Sequence, residues 1–269
     1  MITSRRNSIV QRVRAVARGA HAAPAGLCFV EGVRLVEEWL RSELAADAIL
    51  VGERLGSTER GRALLKAIED AGHLYHSVAD GVLDSISNVR HHQSIAAAIH
   101  TPSSTLAEVM AAPCPLVVAL VGLQDPGNVG TILRTAHAAG AHGAVVTAGG
   151  VSPFNAKCIR ASAGSALHLP LVAGVTFDDF EAACRGRGLQ LLACCPSGGT
   201  SYLDADLTVP AALVFGQEGA GLPQQIERRC DHVVSLPTRA GVDSLNVAAS
   251  AAVLLYEAAR QRAGLGAQA

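Results

Sequence analysis

The chain has 269 residues, 22 Lys and Arg against 23 Asp and Glu, and a formal net charge of −1. With 49% hydrophobic and 17% charged residues it is too apolar for a disordered chain, and its length allows one large or two ordinary domains. The longest apolar runs, at 115–121 and 248–255, are too short to span a bilayer, which takes about 18–20 residues.

Residues 4–18 predict a helix, with Ile9, Val10, Val13 and Val16 on one stripe and arginines around it. Residues 1–30 carry Arg5, Arg6, Arg12, Arg14 and Arg18 and no acid, for +5, so the remainder carries −6. A basic face on a near-neutral chain points to local contact with a polyanion; on charge alone a solvated helix fits as well. No apolar stretch at this end reads as a secretory signal. The seven cysteines form no C-x-x-C pair and predict reduced thiols in a cytoplasmic setting, with neither a disulfide framework nor a zinc site.

Short strands follow at 27–30, 48–51, 73–76 and 94–99, alternating with helices at 31–40, 58–71 and 78–86. That alternation predicts a small α/β domain over 1–104. Two proline-bearing breaks, Thr101-Pro102 and Pro113-Cys-Pro115, mark a linker at 105–115. The texture then changes. Continuous apolar runs at 116–121, 144–147, 190–194, 211–215 and 233–236 read as strands buried on both faces. Helical segments at 129–139, 177–187, 223–229 and 244–262 separate or follow them. Residues 116–269 therefore predict a second α/β domain with a mostly parallel sheet. Ligands of such sheets sit beyond the carboxyl ends of the strands.

Three of those loops hold candidate chemistry. In the first, Asp125-Pro126-Gly127 predicts a turn, Asn128 a helix cap, and Arg134 a guanidinium fork suited to phosphate. The second runs Gly216-Gln-Glu218-Gly219-Ala-Gly221. Its spacing is neither the dinucleotide fingerprint nor a P-loop, which disfavours ordinary NAD, FAD or ATP binding. Glu218 is an unusual acid in such a loop unless it has a partner. In the third, after Leu236, Ser244-Leu245-Asn246 opens the last helix, where simple capping would also explain the hydroxyl and amide. The loop after the first strand of this domain, Gly122-Leu-Gln-Asp-Pro-Gly127, does not carry a G-x-G-x-G pattern either.

Taken in order, these segments resemble the three motifs of the SpoU (TrmH-type) ribose 2′-O-methyltransferases. The likeness runs through Asn128 and Arg134, Gly216-x-Glu218-x-x-Gly221, and Ser244-Leu-Asn246-Val-Ala, and spans about 113–262. Ser152-Pro153, Lys157 and Arg160-Ala-Ser162-Ala-Gly164 also look like the family. The first domain resembles the family's ribosomal-protein-like RNA-binding domain, through Ser4-x-x-Asn7, the stretch from Phe29 to Glu38, and Gln93-Ser-Ile-Ala. One departure is Gly19-Ala-His21, where relatives carry more Lys and Arg.

The resemblance implies a trefoil-knotted SPOUT fold and S-adenosylmethionine as methyl donor, held around Gly216, Leu236, Ser244 and Leu245, with no metal. It implies methyl transfer to a ribose 2′-hydroxyl of RNA, most simply ribosomal RNA. Alternatives are a tRNA 2′-O-methyltransferase and a non-catalytic RNA-binding protein, which would not need this residue set. The catalytic residues implied are Arg134, Asn128, Glu218, Ser244 and Asn246, with Glu218 orienting Arg134 or Asn128. RNA contacts are expected from Arg5, Arg6, Arg12, Arg14 and Arg160. A homodimer pairing through the knot region is expected as well. The apolar residues around the last helix, Val247, Ala248, Ala251, Ala252, Leu254, Leu255 and Ala258, make a surface too broad for one sheet face.

Overall fold

The computed structural model describes residues 1–20, 23–239 and 244–266, with side chains to residue 263. His21 of the departure noted above lies outside the described residues. The chain divides into two compact units, 1–102 with 154–167, and 103–153 with 168–269.

In the first unit, α1 (Ser8–Ala17) starts later than its periodicity predicts. Asn7 Oδ1 accepts from the Ile9 and Val10 amides and fixes the first turn. The chain continues through β1 (Leu27–Glu31), α2 (Val33–Arg41), β2 (Ala46–Gly52), α3 (Glu59–Asp70), β3 (His76–Val78), α4 (Asp80–Leu83) and β4 (Ile95–His100). The sheet order is β1-β4-β2-β3; β4 is antiparallel to both neighbours, and β2 and β3 are parallel. Its two faces are covered separately. Val10, Val13 and Phe29 pack with Leu50 and Ile86 on one side, and Trp39, Ile49 and Ile68 with Ile99 on the other.

The second unit opens with α5 (Leu106–Val109), which starts at a Thr105–Glu108 capping box within the predicted linker. Then come β5 (Leu116–Leu120), α6 (Pro126–Ala138) and β6 (Gly143–Thr147). Next, α7 (Ala156–Ala161) belongs to the first unit, where Ile159 and Leu167 join the core around Trp39. The second unit resumes with β7 (Leu171–Val175), α8 (Phe177–Gly186), β8 (Gln190–Cys195), β9 (Thr200–Ser201), β10 (Ala211–Phe215), α9 (Gln224–Glu227), β11 (His232–Ser235) and α10 (Val247–Gly266).

Its seven strands run β7-β6-β5-β10-β8-β11-β9, and every recorded pairing is parallel. The strands β5, β6 and β7 step outward in one direction and the others lie on the far side of β5. The topological switch point is therefore between β5 and β10, where open parallel sheets place their ligands.

The last helix differs from expectation. Ala248, Ala251, Leu254, Leu255 and Ala258 are buried within the chain, and α10 packs against α6. Its exposed large apolar residues are Val253 and Tyr256. Much of the broad apolar surface read from the sequence is thus covered within the chain, with α6 as its chief neighbour.

Candidate active site

The site is assembled at the carboxyl ends of β5, β10, β8 and β11. After β5, Gly122 turns with φ +67 and lies so close to Gln217 that a Cβ would sit 3.0 Å from its Nε2. The β5 and β10 loops therefore touch. Asp125 is the cap of α6: its side chain accepts from the Asn128 amide at 2.7 Å, and Pro126 takes the first helical position. Asn128 is thus not the cap that the sequence predicts. Its side chain is released for another task.

That task is a contact with Glu218. Asn128 Nδ2 donates to Glu218 Oε2 at 2.8 Å, and Asn246 Nδ2 donates to Glu218 Oε1 at 2.9 Å and to Asn128 Oδ1 at 3.1 Å. Asn246 also caps α10, its Oδ1 accepting from the Ala248 and Ala249 amides. Capping and site geometry are therefore both true of this residue. A single carboxylate spans two amides from loops 90 and 28 residues away in sequence. Of the two partners expected for Glu218, Asn128 is the one bonded to it here. Arg134 is exposed on α6, with no recorded hydrogen bond or ion pair among the described residues.

Gly216 is where the β10 loop closes on itself. A Cβ there would fall 2.3 Å from the Gly221 carbonyl and the Leu222 nitrogen. Gln217 and Gly221 exchange backbone bonds of 3.1 and 2.8 Å across that turn. Behind it lies a cavity of about 410 Å³. Gly216, Leu236, Ser244 and Leu245 all line it, as does Glu218, so the cavity and the amide–carboxylate cluster share a wall. Residues 240–243 of the third loop lie outside the described residues. Cys194, Cys195 and Glu227 also line the cavity and were not singled out from the sequence. The signal was available, since Cys194 and Cys195 end a buried strand next to β10. Burial raises the thiol pKa of Cys195 to about 11 and of Cys230 to about 12.

The arginines expected to meet RNA have mixed surroundings within the first unit. Arg5 donates to the Gly81 carbonyl and Arg14 to Ser85 and the Arg5 carbonyl, while Arg6 is exposed. Arg12 pairs with Asp47 at 3.0 Å. Arg160 pairs with the buried Glu31 at 3.1 Å, and Glu31 also accepts from Ser87 and the Asn88 amide. Arg160 therefore holds α7 to the end of β1. Among the described residues no group of three or more His, Cys, Asp or Glu could hold a metal ion, and no helix is long and apolar enough to cross a membrane.

Comparison with known proteins agrees with this geometry. Residues 115–256 match the SpoU rRNA methylase family, and residues 29–105 match the RNA 2′-O ribose methyltransferase substrate-binding family. An uncharacterized tRNA/rRNA methyltransferase of Mycobacterium tuberculosis is 32% identical over 238 residues, covering 87% of this chain and 74% of that protein. The AdoMet-bound rRNA methyltransferase of Sinorhizobium meliloti superposes with a TM-score of 0.84 at 29% identity, over 96% of this chain and 97% of that one. An RNA 2′-O ribose methyltransferase superposes at 0.82 with 31% identity, over 97% and 99%. A protein described by its 2-OH methylation of C/U34 on tRNA matches at 0.52 with 30% identity, but over only 57% of this chain and 99% of its own. The chain belongs to the SpoU rRNA methylase family and is an RNA methyltransferase.

Proposed function

We propose that the protein transfers a methyl group from S-adenosylmethionine to a ribose 2′-hydroxyl of ribosomal RNA. The observation that carries this reading is the Asn128–Glu218–Asn246 cluster built into the wall of the cavity. A non-catalytic RNA binder has no use for a carboxylate held by two amides beside a small-molecule pocket. Solved relatives matching both units are described as rRNA or RNA 2′-O ribose methyltransferases, whereas the tRNA relative matches little more than half of the chain. That contrast favours ribosomal RNA over tRNA.

The residues fit the donor. About 410 Å³ is within the range of small-molecule pockets, about 300–1,000 Å³. Phe215, Leu236 and Leu254 supply apolar wall, and Gly216 leaves backbone where a Cβ would collide. Gly216, Leu236, Ser244 and Leu245 hold the donor in this reading. When bound, S-adenosylmethionine supplies an electrophilic methyl on a sulfonium. The chain's own residues must then place the nucleophile. Arg134, a permanent cation on an exposed helical face, contacts the phosphate and ribose of the target nucleotide. Glu218 fixes the two amides, and Asn128, Asn246 and Ser244 position the ribose. Holding the hydroxyl in an attacking geometry is the larger part of the catalysis, because the reaction is then effectively unimolecular.

In the same reading, residues 1–104 bind RNA, 105–115 link, and 116–269 carry out transfer, with Arg5, Arg6, Arg12, Arg14 and Arg160 on the RNA side. The trefoil-knotted threading belongs to it too, and accounts for three loops so distant in sequence meeting at one carboxylate. So does a cytoplasmic homodimer in which Arg134 serves the partner's pocket, which gives a role to a guanidinium with no partner among the described residues. Mapping 2′-O-methyl groups in host ribosomal and transfer RNA with and without the gene tests the proposal. Loss of one ribosomal site supports it; loss confined to tRNA, or no loss, overturns it.

A further inference from the structure

Two carboxylates, Glu218 and Glu227, line the cavity, and no Lys, Arg or His does so among the described residues. Their situations differ. Both oxygens of Glu218 are taken by the amides of Asn128 and Asn246. Glu227, the last residue of α9, has one recorded partner, the Cys195 thiol, which donates to Oε2 at 3.7 Å. That is a weak donor at a long distance. Of the two arginines that follow it in the chain, Arg229 is committed to Asp178 and Glu181, and Arg228 is exposed and does not line the cavity. Cys195 remains a protonated donor at neutral pH, because burial and the Glu227 charge raise its pKa to about 11. A half-buried carboxylate with so little compensation keeps its charge available to a cationic ligand in the cavity.

We propose that Glu227 is a specificity-determining residue that favours a positively charged sulfonium donor over its neutral thioether product. This rests on the reading of the cavity as the donor site. The two ligands share the purine, the ribose, the amine and the carboxylate, and differ by one methyl and one positive charge. A hydrogen bond to any shared group helps both equally. What separates them is packing around the extra methyl and the Coulomb field of the two lining carboxylates, in the direction that expels product after transfer; Glu218 spends its oxygens on Asn128 and Asn246, which leaves Glu227 the freer to turn to the sulfonium.

Calorimetric titration of the full-length protein with S-adenosylmethionine and with S-adenosylhomocysteine tests it. Glu227→Gln keeps the shape and removes the charge. It should weaken the sulfonium ligand about tenfold and leave the thioether within about twofold, as expected for one charge interaction in partly wet surroundings. Glu227→Asp, which retains the charge, should keep most of the preference. Thermal unfolding of each variant confirms that it is folded. Equal weakening of both ligands, or no change in either, overturns the inference while the donor site stands. If the unaltered protein binds neither ligand, the donor reading falls and this inference with it.

Discussion

Substituting Gly216 by alanine tests whether the β10 loop is built by close backbone approach. The added Cβ would stand 2.3 Å from Gly221 and Leu222 backbone atoms, against an ordinary contact of 3.4 Å or more. Backbone on one side must therefore move by about 1 Å, since no flexible side chain can give way. The movement breaks the reciprocal Gln217–Gly221 bonds, worth about 1 kcal/mol each, and disturbs the buried Leu222. Adding about 1–2 kcal/mol for overpacking, Gly216→Ala should cost about 3–4 kcal/mol. It should also weaken S-adenosylmethionine at least about tenfold, because it distorts the cavity wall. Urea unfolding gives the first quantity and calorimetry the second. Gly186→Ala is the control: nothing lies within 4 Å of its Cβ at the end of α8, and it should be neutral or stabilising by up to about 1 kcal/mol. Native stability and affinity in Gly216→Ala would refute the close-approach argument.

Glu218→Gln should lower methylation about a hundredfold while costing no more than about 1 kcal/mol in stability, because the cluster is exposed and its role is orientation. Parallel turnover and melting measurements separate the two effects. Arg262 donates to the carbonyls of Cys114, Leu207 and Val209, so Arg262→Ala should destabilise by about 2–4 kcal/mol in urea unfolding. With burial holding Cys195 near 11 and Cys230 near 12, both stay protonated at neutral pH, and their alkylation should accelerate only as pH approaches those values. Rapid iodoacetamide labelling at pH 8 would contradict that. Arg134→Ala and Asn246→Ala should each be inactive alone. Mixed, they should recover about a quarter of full activity if each pocket takes Arg134 from the partner and subunits exchange. No recovery between folded, exchanging variants would place the whole site in one subunit.

The strands of the second unit were legible because β5, β8 and β10 are uninterrupted apolar runs, as a sheet buried on both faces requires. The strand β7 was not, since Gly174 interrupts it and its outer residues face solvent at the sheet edge. At six residues, α7 is too short to show a helical period, and its burial depends on Trp39, more than a hundred residues earlier. Asn128 illustrates the limit at the site. Local chemistry allows both Asp125 and Asn128 as caps, and only the fold reveals that Asp125 takes the amide while Asn128 turns to Glu218. The family likeness identified Glu218 and Asn246 but not their mutual bond, because spacing along the chain carries no distance between loops. Glu227 and Cys195 escaped for a related reason: each is ordinary in its own segment and acquires meaning only beside the other.

The most direct test of the central claim is nucleoside analysis of ribosomal RNA lacking its native modifications, after incubation with the purified protein and methyl-labelled S-adenosylmethionine. One 2′-O-methylated nucleoside should appear with the unaltered protein and be lost with Glu218→Gln. Label on a base, or label appearing in transfer RNA while ribosomal RNA stays unmodified, would contradict it.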